Sequence, residues 1–192
     1  MTIATRILAE EGFMALTLRR LATEAGISRT TPYLYFEDKA DLLQKVCVRT
    51  FEYLIGLCNA AVEEEDNVLD KLTAFGRVYM QFGLDNPVLY RLVFAPEHPD
   101  DEVSQEVQDI AEEYKQLSAK PMQEAYEKGY FTYPPERLNP VLWASMHGLL
   151  CLRWSGHLSE DEAYHRVRED MEMILATGFL TDPAMGKTEC ED

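Results

Sequence analysis

The chain has few cysteines, no long apolar run and a shortage of positive charge. Its four cysteines, Cys47, Cys58, Cys151 and Cys190, form no C-x-x-C and no paired spacing. That excludes a disulfide framework and predicts reduced, cytosolic thiols. No apolar run reaches the roughly 18 residues that a membrane-spanning helix needs. The opening residues MTIATRILAEEGF lack a basic stretch followed by an apolar core, so they do not read as a secretory signal. There is no G-x-S-x-G, no Gly-rich phosphate loop and no H-E-x-x-H. His98, His147, His157 and His165 stand at no helical metal-binding spacing with each other or with cysteine. These absences predict a cytoplasmic protein that is not an enzyme and has no cofactor, metal or membrane partner.

Positive charge is scarce: 18 Lys and Arg face 34 Asp and Glu, a net charge of −16. Read globally, that opposes a nucleic-acid partner. The distribution is uneven, however. Residues 1–50 hold seven Lys and Arg and six Asp and Glu, a net of +1, so the other 142 residues carry −17.

Hydrophobic residues make up 46% of the chain, enough for a real core in 192 residues. The pattern is helical throughout. The most informative stretch is LTLRRLATEAGISRTTPYLYFEDKADLL, Leu16 to Leu43. Leu18, Leu21, Ala22 and Ala25 recur at helical spacing, with Thr17 as a cap outside the first turn. Gly26 supplies the left-handed residue that stops this helix. Ser28 then caps a second helix whose exposed start is Arg29, Thr30 and Thr31. Pro32, four positions on, deletes only the first intrahelical bond, so a short helix survives. Two helices joined by a tight turn containing Gly form a helix-turn-helix, whose second helix enters the DNA major groove.

The geometry of that unit assigns roles. Helix N-termini hold phosphates, which places Thr17 and Ser28 at the backbone. Arg19, Tyr35 and Lys39 are positioned for the same task. Arg29, Thr30 and Thr31 reach base edges, Arg by a bidentate pair with guanine and Thr through its hydroxyl or methyl. Tyr33 either touches phosphate or packs on the turn.

A helix from Lys39 runs toward Val62 with Leu42, Leu43, Val46, Tyr53, Leu54 and Leu57 inward. Further helices are expected at about 67–84, 87–95, 101–129, 138–156 and 160–178, with a break or kink at Pro121 and with TYPP at 132–135 as a loop. Pro140 is read as a helix-start position. Helix 138–156 carries two opposed apolar faces, so it is covered twice. Trp143, His147, Leu150 and Trp154 fall on one; Leu142, Ser145, Leu149, Leu152 and Gly156 on the other. The next helix repeats Ala163, Val167, Met171, Ile174 and Gly178. Together these predict a four-helix homodimer interface through Leu142, Leu149, Leu152, Val167, Met171 and Ile174. Tyr79, Phe82, Tyr90, Phe94, Met122, Tyr126, Trp143, His147 and Trp154 are an aromatic-rich supply either for ordinary core or for a pocket between helices, and the residues alone leave both open.

Gly12, Thr17, Arg19, Leu21, Ala22, Ala25, Gly26, Ser28, Tyr33, Phe36, Lys39 and Leu42, in this order, make the first fifty residues resemble the DNA-binding domain of the TetR family of transcriptional regulators. NPVLYRLVF at 86–94 with Trp143, His147 and Gly148 resembles a subgroup of TetR ligand domains. The resemblance implies an all-α chain of about nine helices. A three-helix DNA-binding domain spans 1–45, a helical ligand-binding and dimerisation domain 46–180, and a frayed tail 181–192. It implies a homodimeric repressor that leaves a palindromic double-stranded operator when a small-molecule effector binds. Relatives usually carry an extra basic segment ahead of the first helix; either fewer phosphate contacts are expected here or Met1 is an internal methionine of a longer chain. Two other readings stay open on the residues alone: a helical protein–protein interaction module with a helix-turn-helix that does not bind DNA, and an all-helical enzyme.

Overall fold

The computed structural model describes residues 3–94 and 103–181. They form eight α-helices and one 3-10 helix. The α-helices are α1 (Ile3–Glu11), α2 (Leu18–Glu24), α3 (Lys39–Glu63), α4 (Val68–Asp85), α5 (Pro87–Phe94), α6 (Gln105–Glu127), α7 (Pro135–Trp154) and α8 (Asp161–Phe179); the 3-10 helix is Thr31–Leu34. Among the described residues the one β-pairing is an isolated bridge between Phe131 and Leu180. Pro96, His98, Pro99, Cys190 and the tail from 182 onward lie outside the described residues.

Local chemistry accounts for most boundaries. Gly12, at φ +84°, ends α1, and Gly26, at φ +65°, follows α2; L side chains rarely adopt either conformation. Thr17 is extended, and its Oγ1 accepts the Arg20 N–H at 3.0 Å. Asp38 Oδ1 accepts the Asp41 N–H at 2.9 Å while Asp41 Oδ2 accepts the Glu37 N–H at 3.1 Å, a reciprocal cap on α3.

The second element of the helix-turn-helix differs from expectation. Ser28 does not cap it through the backbone; its hydroxyl bonds those of Thr30 (3.0 Å) and Thr31 (2.7 Å). Pro32 has no N–H to give the Ser28 carbonyl, which takes the Thr31 N–H at 3.1 Å instead. Tyr33 to Thr30 and Tyr35 to Pro32 continue the three-residue spacing, so the segment is a single 3-10 turn.

Proline also moves other boundaries. Pro135 opens α7 where a loop was expected, because a first-turn proline lacks only an N–H that no helix would use there. Pro140 is then inside α7, and Pro121 sits inside an α6 that continues to Glu127 unbroken. On α3, Tyr53 and Leu57 face outward, at 59% and 37% exposure, while Phe51, Leu54, Ile55 and Cys58 are buried.

The described residues group into two compact units. The first runs through α1, α2, the 3-10 helix and α3 as far as Cys58, and adds Gln81–Lys115. In it α1 packs on both α2 and α5, and α2 packs on the 3-10 helix. Ile7, Leu8, Leu16, Ala22, Leu42 and Leu54 are its buried aliphatic centre. Gln44 Oε1 accepts the Ser104 N–H at 2.7 Å, and Lys45 pairs with Glu106, so α3 is tied to the start of α6.

The second unit holds Asn59–Met80 and the chain from Gln116. Val68, Met122, Ala125, Phe131 and Leu138 form a core patched by Tyr126, Leu142 and Phe179. Here α7 packs on α8. Arg153 staples their turn, donating to the Leu158 carbonyl at 2.8 Å and that of Ser159 at 2.6 Å, pairing with Asp161 and lying 5.4 Å over the Tyr164 ring.

Burial pushes the Cys47 thiol up to about 11 and that of Cys58 up to about 12. A raised thiol pKa favours the unreactive S–H form, leaving roughly one thiolate in a thousand or fewer at pH 8. A maleimide reagent at that pH should therefore leave Cys47 and Cys58 unmodified until denaturant is added, as read by peptide mass spectrometry. Cys151 is exposed and serves as the reactive comparison.

Candidate nucleic-acid interface

The helix-turn-helix displays its polar residues outward. Thr17, Arg19, Ser28, Arg29, Thr30, Tyr33 and Tyr35 are all exposed, and Thr31 and Lys39 are half-buried. Tyr33 and Tyr35 expose 61% and 73% of their surface, which resolves the ambiguity at Tyr33 against packing on the turn. Pro32, by contrast, is fully buried and anchors the element that presents them.

The cations divide into two groups. Arg6 pairs with Glu10 and Glu24, Arg20 with Glu11 and Glu24, Lys45 with Glu106 and Arg49 with Glu52. Lys39 donates to the Phe13 carbonyl at 2.7 Å, fastening the turn between α1 and α2 to α3. An ammonium has three donors, so this bond leaves Lys39 two for a phosphate. Among the seven cations of the first fifty residues, Arg19 and Arg29 are the two whose side chains are committed to no protein group among the described residues.

Leu34, missed in the sequence, is 80% exposed on the same 3-10 helix. A four-residue helix has no opposite face on which to bury every apolar side chain, and that was the available signal. Such a leucine can meet a thymine methyl group.

The residues expected to line an effector pocket do not form one group. Tyr90 and Phe94 stack at 4.9 Å in the first unit. They extend to Phe51 and Tyr114, with Phe94 5.9 and 5.6 Å from those rings. Phe51 and Tyr114 are further omissions of the sequence reading, each hidden within the pattern of a long helix. Phe82 is buried in the same unit, and Tyr79 is buried in the second. Met122 and Tyr126 belong to the core around Phe131. Trp143 is 46% exposed beside His147, their rings 5.5 Å apart, and Trp154 is half-buried.

The expected dimer residues also separate. Leu149 is only 2% exposed within its own chain, so it has no surface left for a partner; this corrects its assignment to the interface. Leu142, Val167 and Met171 are half-buried, whereas Leu152 and Ile174 expose 44% and 67%. On α7 the exposed residues Arg137, Pro140, Val141, Ala144, Cys151 and Leu152 fall within about 120° of one another at 100° per residue and form its open face, while Ser145 and Gly148 are half-buried. Next to it a groove of about 320 Å³ runs between α7 and α8, lined by Tyr133, Arg137, Leu138, Val141, Ile174, Leu175, Gly178 and Phe179.

No helix among the described residues is long and apolar enough to cross a membrane, and no three His, Cys, Asp or Glu side chains among them gather to hold a metal.

Two family models match the chain. "Bacterial regulatory proteins, tetR family" covers residues 1–46, and "Tetracyclin repressor-like, C-terminal domain" covers residues 72–173. An HTH-type transcriptional regulator of Haemophilus influenzae is 27% identical over 84 residues, 44% of this chain and 45% of that protein. The chain thus spans less than half the length of that curated relative. Among solved structures, a Rhodococcus sp. RHA1 protein of unknown function superposes with a TM-score of 0.79 at 26% identity, covering 93% of this chain and 92% of the other. A TetR family transcription regulator from Marinobacter aquaeolei VT8 superposes with a TM-score of 0.69 at 20% identity, with the same coverage.

Proposed function

The chain belongs to the TetR family of bacterial regulatory proteins, and we propose that it is a cytoplasmic, homodimeric repressor that leaves a near-palindromic operator when a small molecule binds. The observation that carries this reading is the pair of uncommitted guanidiniums, Arg19 and Arg29, on an exposed helix-turn-helix. Arg29, Thr30 and Thr31 read base edges in the major groove. Thr17, Arg19, Ser28, Tyr33, Tyr35 and Lys39 hold the phosphate backbone. Two such elements engage half-sites about 34–36 Å apart, or a multiple of that, which a two-fold dimer supplies.

The dimer forms where α7 and α8 leave apolar surface uncovered. Val141, Leu152, Met173 and Ile174 are all at least 44% exposed there. A second copy seated on that face also fills the adjoining groove. Association through one self-complementary patch is the usual form of a symmetric dimer.

The effector reading rests on the rings of Phe51, Tyr90, Phe94 and Tyr114, which suit an apolar, aromatic molecule. Tyr90 and Phe94 belong to α5, and α5 packs on α1. A molecule that parts those rings would move α5 and, through α1, the helix-turn-helix. Occupancy alone is not enough: tenfold release of operator needs about 1.4 kcal/mol of difference in affinity between the two protein states.

The test has two stages. DNase protection of the region upstream of the gene's own start should map a near-palindromic site. An apolar compound library is then titrated with and without that duplex, following DNA release by anisotropy and compound binding by calorimetry together. An effector must bind more weakly when operator is present, by the same factor by which it loosens the operator. Absence of any protected site would remove the repressor reading, and compounds that bind without loosening DNA would remove the effector reading.

A further inference from the structure

Five charged side chains run alternately across the α1–α2 face. Glu10 Oε2 accepts from Arg6 Nη1 at 3.2 Å, and Arg6 Nη2 donates to Glu24 Oε2 at 2.7 Å. Glu24 Oε1 lies 3.0 Å from Arg20 Nη2, which also donates to Glu11 Oε1 at 3.1 Å. Three carboxylates against two guanidiniums leave this patch at −1.

The placement of the patch is what matters. In a helix-turn-helix the first helix crosses the DNA backbone, so side chains on α2 meet phosphates. Arg20 is the third residue of α2 and adjoins Arg19, one of the uncommitted cations. A guanidinium there would ordinarily neutralise a phosphate and release a counterion. Instead one of its nitrogens is shared between two carboxylates. Exposed ion pairs of this kind contribute little to folding stability, so stability is a weak reason for the arrangement. The side chains of Arg6 and Arg20 are 40% and 43% exposed, within reach of solvent and of a polyanion.

We propose that Glu11 and Glu24 act as a brake on DNA affinity by withholding Arg20 from the phosphate backbone. The inference rests on the DNA-binding reading above and adds a device to it. A phosphate contact carries no sequence information, so the brake lowers affinity for operator and random duplex by the same factor. The operator complex is thereby kept weaker than the cations of α2 would permit.

The experiment is a cycle of four proteins: wild type, Arg20→Ala, Glu11→Gln/Glu24→Gln, and the triple variant. Each is titrated by fluorescence anisotropy against the mapped operator and a random duplex of equal length across a potassium chloride series. Gln keeps the shape of Glu and removes its charge. The double variant should bind both duplexes more tightly by one common factor. Its plot of log affinity against log salt should be steeper by about two units, one phosphate per protomer of a dimer. Arg20→Ala alone should leave the salt slope unchanged, and in the triple variant it should erase the gain in slope. Glu24→Gln alone, which leaves the Arg20–Glu11 pair, should fall between and serves if the double variant melts early.

A double variant with the slope of the wild type would overturn the inference while leaving DNA binding intact. A gain that survives in the triple variant would overturn it too, since relief of bulk repulsion would then be the cause. So would a flatter slope for Arg20→Ala alone, which would place Arg20 on phosphate already. A wild type that binds no duplex at any salt fails the DNA-binding reading itself and takes this inference with it.

Discussion

Replacing Ile174 with Glu should give a folded monomer that no longer binds operator. Ile174 is 67% exposed in the single chain, so a carboxylate there is solvated and costs the fold little. In a two-fold dimer the same change buries an unpaired charge in each half of the interface, a penalty of several kcal/mol per ion after relaxation. Each subunit then holds one half-site alone. Sedimentation at low micromolar concentration reads the mass, circular dichroism the fold, and anisotropy the DNA. Leu152→Glu, at an exposed position on α7, should behave alike. Leu149 is the contrasting control. It is 2% exposed, so Leu149→Ala should cost about 2–5 kcal/mol of folding stability and lower the melting temperature. A dimer that survives both Glu substitutions would place the interface elsewhere.

The second large effect concerns base readout. Arg29→Ala should lower operator affinity by about 1–3 kcal/mol and relax the preference at one base pair in each half-site. Arg19→Ala should weaken operator and random duplex equally and flatten the salt slope by about one unit for each phosphate no longer neutralised. The two arginines are alike in charge and in freedom from partners among the described residues, so position is what separates them. Arg29 precedes the 3-10 helix, and Arg19 lies in the first turn of α2. Titrations over a panel of operators, each altered at one base pair, measure both effects. Equal losses from Arg29→Ala on every duplex would remove Arg29 from base readout.

Much of the interface was legible without a structure because its determinants are local. A threonine outside the first turn of α2, a glycine after it and a proline in the next element each act within four residues. Thr17 capped as expected, and Gly26 took the left-handed conformation. The same locality explains the failure at Ser28. The sequence shows what Pro32 removes from an α-helix but not the three-residue hydrogen bonding that replaces it.

Two apolar faces on α7 could be read from periodicity, but their registration could not. Periodicity groups Leu142, Ser145, Leu149 and Leu152, whereas the exposed positions include Val141, Ala144, Cys151 and Leu152. Small residues at 144 and 151 look neutral in a periodic pattern; only the packing of α7 on α8 and the core shows which side remains uncovered. The aromatic supply behaved similarly. Nine residues looked like one pocket, yet Tyr90 and Phe94 joined Phe51 and Tyr114 while Met122 and Tyr126 joined Phe131.

The sequence by itself determined the all-helical class, the helix-turn-helix and the order of its exposed polar residues, since caps, turns and periodicity act between neighbours along the chain. Only the tertiary structure decided which side of α7 stays open, which rings meet, and which cations remain free. Those outcomes depend on side chains far apart in sequence: Glu24 is eighteen residues from Arg6, and Glu106 sixty-one from Lys45. A charge pattern along the chain counts such groups, but their pairing is set by which helices pack together.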